Sequence, residues 1–198
     1  LIMSFRIEEK ILIEKNQIIE FKKLYRKKSL KKLYDSRIIK SLYFENTNSE
    51  MYKDSIEGCL PRKKIRVRNY PNSKIKKFFL EIKISSVEGR FKKKTQINEQ
   101  DLEKLIKYGY HDNDYGFCKP LIYVEYLRNY YFINNTRLTH DEKIKYYRYK
   151  NKMIKNEEKE IFEIKTNYKI DLNELYLIFP MNRTRFSKYC NAYDKFFN

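Results

Sequence analysis

The sequence predicts an α+β fold: a mainly antiparallel sheet of about eight strands, with helices between and after them. Three observations carry this. Short runs along the chain alternate charged and apolar residues with period two, the pattern of half-buried strands. Most of these runs are joined by short polar breaks that suit hairpins. Helical spacing appears between some of them and again at the end of the chain. At 198 residues the chain is long enough for one domain with a substantial core, and residues 1–198 read as a single domain.

Taken in order, residues 5–13 (Phe5-Arg6-Ile7-Glu8-Glu9-Lys10-Ile11-Leu12-Ile13) form a first strand with Arg6, Glu8 and Lys10 on one face. From about Glu14 to Leu33 the spacing of Ile18, Phe21, Tyr25, Leu30, Leu33 and Tyr34 is helical, and Lys22, Lys23, Arg26, Lys27, Lys28, Lys31 and Lys32 occupy the remaining surface. That run reads as a solvated helix face, with a polyanion docking patch as the alternative. Residues 38–45 give a second strand, followed by a polar helix or turn that ends at Gly58. In Arg62-Lys63-Lys64-Ile65-Arg66-Val67-Arg68, the residues Arg62, Lys64, Arg66 and Arg68 share a face, opposite Ile65 and Val67. In Phe79-Leu80-Glu81-Ile82-Lys83, Glu81 and Lys83 oppose Leu80 and Ile82. After Gly89 comes Phe91–Ile97, with Lys92 and Lys94 on one face. Asn98 and Asp101 make a capping-box start for a helix that Gly109 closes. Residues 110–119 read as a loop. Pro120 then introduces a strand over 121–133, and Asn134-Asn135 turns into another over 136–141, where Arg137, Thr139 and Asp141 share a face. Residues 143–156 are too polar to place. Residues 159–165 form the last strand, Asp171 and Glu174 mark a helix start, and a closing helix carries Ser187 and Lys188 in its first turn.

The formal net charge of +18 points to phosphate-rich partners. With 19 Tyr and 13 Phe there is ample aromatic material for a core, which argues against disorder. Cys59, Cys118 and Cys190 are odd in number and in no CxxC spacing, so reduced thiols in a cytoplasmic protein are expected, not disulfides or zinc. No apolar stretch reaches the length of a membrane span, although a membrane-protein partner stays compatible with the sequence. No RNP-like, KH or zinc-finger pattern favours nucleic acid.

Such a sheet could stay open or close into a barrel. Closed with its charged faces inward, it would bring Lys10, Arg66, Arg68, Lys83, Lys92, Lys94, Arg128, Arg137 and Lys165 to one lumen. Burying even one unpaired cation costs several kcal/mol, so that interior must be hydrated or filled by an anion. A carboxylate among these cations repels phosphate unless a metal lies between them. Glu163, helped by Glu8 or Glu81, suits an oxygen-ligand site for magnesium or manganese. Taken singly, Glu81–Lys83 and Glu163–Lys165 read as ion pairs on an exposed face. Repeated on three strands with Glu8–Lys10, and beside an arginine pair, they read as a site. His111 and His140 read as loop or turn residues, and Tyr43, Tyr126 and Tyr189 as packing.

A series in order resembles the VTC domain, the polyphosphate-making module of the vacuolar transporter chaperone, within the CYTH-like triphosphate tunnel metalloenzymes. It comprises Arg6-x-Glu8-x-Lys10, Ser41–Glu45, Arg62–Arg68, Phe79–Lys83, Val124-Glu125-Tyr126-Leu127-Arg128, Arg137–Asp141, Phe162–Lys165 and Phe186–Tyr189. The resemblance implies a closed, eight-stranded antiparallel β-tunnel with a charged interior, flanked by helices. It implies phosphoryl transfer from ATP onto a growing polyphosphate chain with Mn2+ or Mg2+. It assigns Arg66, Arg68, Lys83, Arg128 and Arg137 to the catalytic lining. Lys10, Lys92 or Lys94, Lys165, Arg185, Ser187 and Lys188 become phosphate contacts, and Glu163 becomes the metal carboxylate. Glu45 stands where the family commonly has Asp, and Lys93-Lys94 where Arg is frequent. A metal-dependent triphosphatase would use the same lining with water as acceptor, and a non-catalytic polyphosphate binder would use it without turnover.

Overall fold

Period-two alternation becomes strand wherever a polar face can stay wet and an apolar one can be covered, and ten strands and five helices result among the described residues. The computed structural model describes residues 6–14, 17–27, 30–133, 136–151, 153–167 and 172–198. The chain divides into two compact units, one drawn from residues within 1–37, 126–144 and 157–186, the other from 38–125, 145–156 and 187–198.

The first unit holds β1 (Arg6–Ile13), α1 (Ile18–Lys27), β10 (Glu160–Asn167) and α4 (Leu172–Ile178). It also takes in parts of β2 (Lys31–Asn46), β7 (Gly116–Ile133) and β8 (Thr136–Arg148). β1, β10 and β8 pair antiparallel, with Lys10 opposite Glu163, Glu163 opposite Thr139, and Lys165 between Glu8 and Arg137. Their alternate residues Ile11, Ile13, Leu138, Phe162 and Ile164 form one core cluster with Ile18 and Phe21 of α1, Leu175 of α4 and Phe179. Full burial of one such side chain is worth roughly 1.5–3 kcal/mol. Lys10, Arg137, Glu163 and Lys165 are therefore left on the opposite face.

The second unit holds α2 (Glu50–Glu57), β3 (Arg62–Asn69), β4 (Phe78–Ser86), β5 (Gly89–Ile97), α3 (Glu99–Tyr108), β6 (Tyr110–Asp112), β9 (Ile154–Asn156) and α5 (Lys188–Phe197), with the remainders of β2, β7 and β8. Leu42, Phe44, Ile65, Val67 and Ile82 form its core with Met51 of α2, and Leu102, Leu105 and Ile106 of α3 pack against them. The capping box closes as the sequence predicts: Asn98 accepts from the Asp101 amide and Asp101 accepts from the Asn98 amide. Gly109 ends α3 at φ 87°, and a Cβ there would meet the Cys118 carbonyl oxygen at 2.6 Å.

The hydrogen-bonded strand path is β1–β10–β8–β7–β2–β3–β4–β5, with β6 on β7 and β9 on β8. This corrects the expected closed barrel, because the path has two ends, β1 and β5, and each pairs with one neighbour among the described residues. β5 is built as an edge: Lys92, Lys93 and Lys94 are exposed along it, and consecutive lysines deter a further strand.

Other departures have local causes. The helix expected to reach Leu33 stops at Lys27, and β2 begins at Lys31. There Ser36 donates to Asn129 of β7 at 2.5 Å, so cross-strand pairing overrides the helical spacing of Leu30, Leu33 and Tyr34. The expected loop at 110–119 is a hairpin in which the Asp112 carboxylate accepts from the amides of Asp114 and Tyr115. The unplaced segment 143–156 continues β8 and adds β9. His140 lies inside β8, fully buried, and His111 inside β6, which corrects their reading as loop residues. The Asn134-Asn135 turn and Asp171 lie outside the described residues. All three cysteines are free.

Candidate functional site

In the second unit, the face of β3, β4 and β5 turned away from the core is set by register. Tyr43, Arg66, Glu81 and Lys94 lie in one row, Lys64, Lys83 and Lys92 in the next, and Ser41, Arg68 and Phe79 in a third. Two strands of aligned cations need an anion, and Glu81 supplies it from a position with no solvent exposure. Its Oε2 accepts from Arg66 Nε at 2.9 Å and Nη2 at 2.6 Å, and Arg68 Nη1 stands 3.7 Å away. Lys92 Nζ lies 2.6 Å from Oε1, an ion pair by distance, not an aligned hydrogen bond. Burial alone would raise the Glu81 carboxyl; Arg66, Arg68 and Lys92 outweigh it and hold it well below the usual carboxylate range.

Tyr43 and Ser41, which the sequence suggested only as packing and strand residues, steady these arginines. Arg66 Nη1 donates to the Tyr43 oxygen at 2.7 Å, and Arg68 Nε to Ser41 Oγ at 3.2 Å. Burial works to raise the Tyr43 phenol, but Arg66 and Arg68 bring it below its ordinary value. Their signal was the register-matched spacing of Ser41 and Tyr43 on β2. Lys92 reaches Glu81, whereas Lys94, directly opposite Glu81 in register, places Nζ 3.7 Å from the centre of the Phe79 ring. Lys83 is exposed on the same face. Lys64 donates to Ser187 Oγ at 2.8 Å, and Ser187 in turn caps α5 by accepting from the Cys190 amide. Lys188 opens that helix.

The first unit carries a second charged face. Arg128 grips Asp141 with two parallel bonds, Nε to Oδ1 at 2.5 Å and Nη2 to Oδ2 at 2.7 Å, and Nη2 also lies 3.4 Å from Glu163 Oε2. Lys165 Nζ bridges Glu163 Oε1 at 3.2 Å and Glu8 Oε1 at 3.4 Å. Burial opposes the Arg128 charge, yet Asp141 more than restores it. Lys10 donates to the Phe186 carbonyl at 2.5 Å, tying β1 to the segment before α5. Arg137 sits beside the rings of Tyr130 and Tyr34 at 5.5 and 5.9 Å, and its buried Nε has no hydrogen-bond partner among the described residues. Arg185 is exposed. Asp141, which holds Arg128 in place, was visible in the sequence only as a face-mate of Arg137.

The two units divide the expected carboxylates between them. Glu81 is occupied by three cations. Glu163 is nearly buried and engaged by Arg128 and Lys165, and its oxygens are the hard donors that magnesium or manganese take alongside waters and phosphate oxygens.

The mostly antiparallel sheet, ten strands among the described residues, with arginine, lysine and a few carboxylates on its polar faces, is of the CYTH-like tunnel fold. The match to the VTC domain model runs over residues 5–197 and spans both units, and the chain belongs to that family. Among solved structures, a candidate adenylate cyclase from Bacillus halodurans superposes with a TM-score of 0.64 at 13% identity, covering 98% of each chain. A Pyrococcus horikoshii protein does so at 0.59 and 17%, over 96% of this chain and 99% of that one. A Hippeastrum protein, described as an adenylyl cyclase candidate with a dominant triphosphatase activity, gives 0.59 and 13% over 96% of each. At such identities these likenesses establish the fold. No curated protein matches the sequence. Among the described residues no helix is long and apolar enough to cross a membrane.

Proposed function

We propose that the chain is an ATP-dependent polyphosphate polymerase that moves the γ-phosphoryl group of ATP onto the end of an inorganic polyphosphate chain. The observation that carries this reading is the β3–β4–β5 face, where Lys64, Arg66, Arg68, Lys83, Lys92 and Lys94 surround one carboxylate, in a chain matched from end to end by the VTC domain. Phosphoryl transfer asks little covalent chemistry of a protein: positioning the phosphates and stabilising their charge account for most of it. Arg66 and Arg68 are held by Glu81, Tyr43 and Ser41 before any ligand arrives, so little reorganisation is needed. Lysines such as Lys83 and Lys94 act as point charges past which a chain can slide.

In the other unit, Glu163 is the carboxylate that would hold Mn2+ or Mg2+, which when bound neutralises phosphate charge. Glu8 stands within reach of the same lysine. Lys10, Arg128, Arg137 and Lys165 are the proposed phosphate contacts there, and Arg185, Ser187 and Lys188 those at the start of α5. In the transfer, the bond from the β–γ bridging oxygen to the γ phosphorus breaks, a terminal oxygen of the chain bonds to that phosphorus, and ADP leaves. The Hippeastrum protein's described activity favours a second reading, hydrolysis of a triphosphate with water as acceptor.

Incubation of the purified chain with ATP and Mn2+, with and without a short polyphosphate primer, separates the readings. A ladder of lengthening chains with ADP release is expected. Free phosphate without a ladder identifies a triphosphatase, and neither product, with polyphosphate binding retained, identifies a binding module.

A further inference from the structure

We infer that His140, Glu142 and Glu160 form a divalent-metal site, separate from Glu163, that clips β8 to β10 on the opposite face of the sheet. One ligand atom from each lies within 4.8 Å of the other two. The register explains why they meet. Ile161 pairs with Asp141, so the next residues, Glu160 and Glu142, fall beside one another, while His140, paired with Phe162, is two residues from Glu142 on the same face. Glu163, Thr139 and Asp141 belong to the other face.

Two carboxylates placed side by side across antiparallel strands repel, and such a pair persists where a cation lies between them. Lys22 of α1 acts on the His140 ring from this side. The imidazole is built to be a ligand. His140 has no solvent exposure, its ring stacks on Phe162 at 4.2 Å with an interplanar angle of 2°, its Nε2 contacts the Glu160 carboxylate, and its Nδ1 has no hydrogen-bond partner among the described residues. Glu142 is steadied by Asn129 Nδ2 at 2.9 Å. Glu142 and Glu160 remain partly exposed, which leaves a route in. Ligands about 2.0–2.1 Å from a tetrahedral centre stand about 3.3 Å apart, within the present spread of these atoms. One nitrogen and two carboxylates suit Zn2+, Co2+ or Mn2+ better than Mg2+ or Ca2+.

The test measures metal directly. Metal-free chain is dialysed against Zn2+ or Co2+ at low micromolar concentration, and bound metal is counted in wild type, Glu163→Gln, Glu142→Gln and Glu160→Gln. In Glu163→Gln, which removes the other proposed metal carboxylate, one equivalent is expected, with affinity at least about 10-fold weaker when Glu142→Gln or Glu160→Gln is added to it. Co2+ should give a visible spectrum that Glu142→Gln abolishes. At 100 times Kd, Zn2+ should raise the wild-type Tm by roughly 5–10 °C and leave that of Glu142→Gln unmoved. Glu160 contacts the buried His140 ring, so Glu142→Gln carries the test if Glu160→Gln fails to fold. Absence of a stoichiometric metal, or binding that survives loss of Glu142, overturns the site whatever the ATP assay returns.

Discussion

On the β3–β4–β5 face Lys64, Arg66, Arg68, Lys83, Lys92 and Lys94 stand with one acid, Glu81, whereas on the face of β1, β10, β8 and β7 the bases Lys10, Arg128, Arg137 and Lys165 are interspersed with Glu8, Asp141 and Glu163. The first arrangement leaves a large excess of positive charge once Glu81 is satisfied. The second is nearly balanced. A face with excess cation is suited to an anion, and a balanced one keeps its carboxylates ionised among bases. Similar strands, differing in how often an acid interrupts the bases, thus present two different electrostatic surfaces.

The largest effects should come from removing the acids that hold the arginines. Glu81→Ala leaves Arg66 and Arg68 buried with their shared counter-charge gone, and Asp141→Ala strips Arg128 of its two-bond partner and leaves it the longer contact to Glu163. Breaking one partner of a buried pair costs about 3–5 kcal/mol, readable by urea denaturation. Equal losses would mark both acids as structural, while a loss below about 1 kcal/mol at Glu81 would show its cluster to be wet. The Glu81 carboxyl is depressed in the folded chain, so its contribution is complete above the unfolded value of about 4.3 and drains as pH falls below it. Wild type and Glu81→Gln should therefore converge in stability at acid pH.

Alternation made the faces legible in the sequence, and with them the strands that carry Arg66, Arg68, Glu81, Glu163 and Lys165. It could not tell which charges face water. Arg66 read as one of the cations lining a hydrated or anion-filled lumen, where an Arg66→Glu reversal would be expected to leave folding intact. It is 6% exposed and bonded to Glu81, so that change would set two buried carboxylates against each other. Nor does alternation fix how strand ends pair. The closed barrel came from resemblance, and the exposed lysines of β5 are what leave that edge open. Tyr43, Ser41 and Asp141 were missed because a hydroxyl or acid that steadies an arginine looks like any other strand residue until register pairs it.

Glu163→Gln tests the balanced face. With an amide in place of the carboxylate, turnover should fall at least about 100-fold while triphosphate binding is kept, compared by single-turnover assay and equilibrium dialysis. A loss of binding with unchanged turnover of what still binds would move the metal away from Glu163. A smaller effect is expected at the start of α5, where Ser187 both caps the helix and accepts from Lys64. Ser187→Ala should cost about 1 kcal/mol of stability, and Ser187→Thr should recover most of it.

The finest distinction lies between two lysines on one strand. Lys92 is committed to Glu81, while Lys94 is exposed and rests over the Phe79 ring, a contact worth about 0.5–1 kcal/mol at most. Lys94→Gln should change stability by no more than about 1 kcal/mol, yet lower polyphosphate affinity a few-fold at low salt, with the difference vanishing as salt is raised. Lys92→Gln should do the reverse, costing stability through Glu81 more than affinity. If Lys94→Gln binds polyphosphate as wild type does at low salt, the anion's path runs along β3 and β4 and the exposed lysines of β5 serve only to guard an edge.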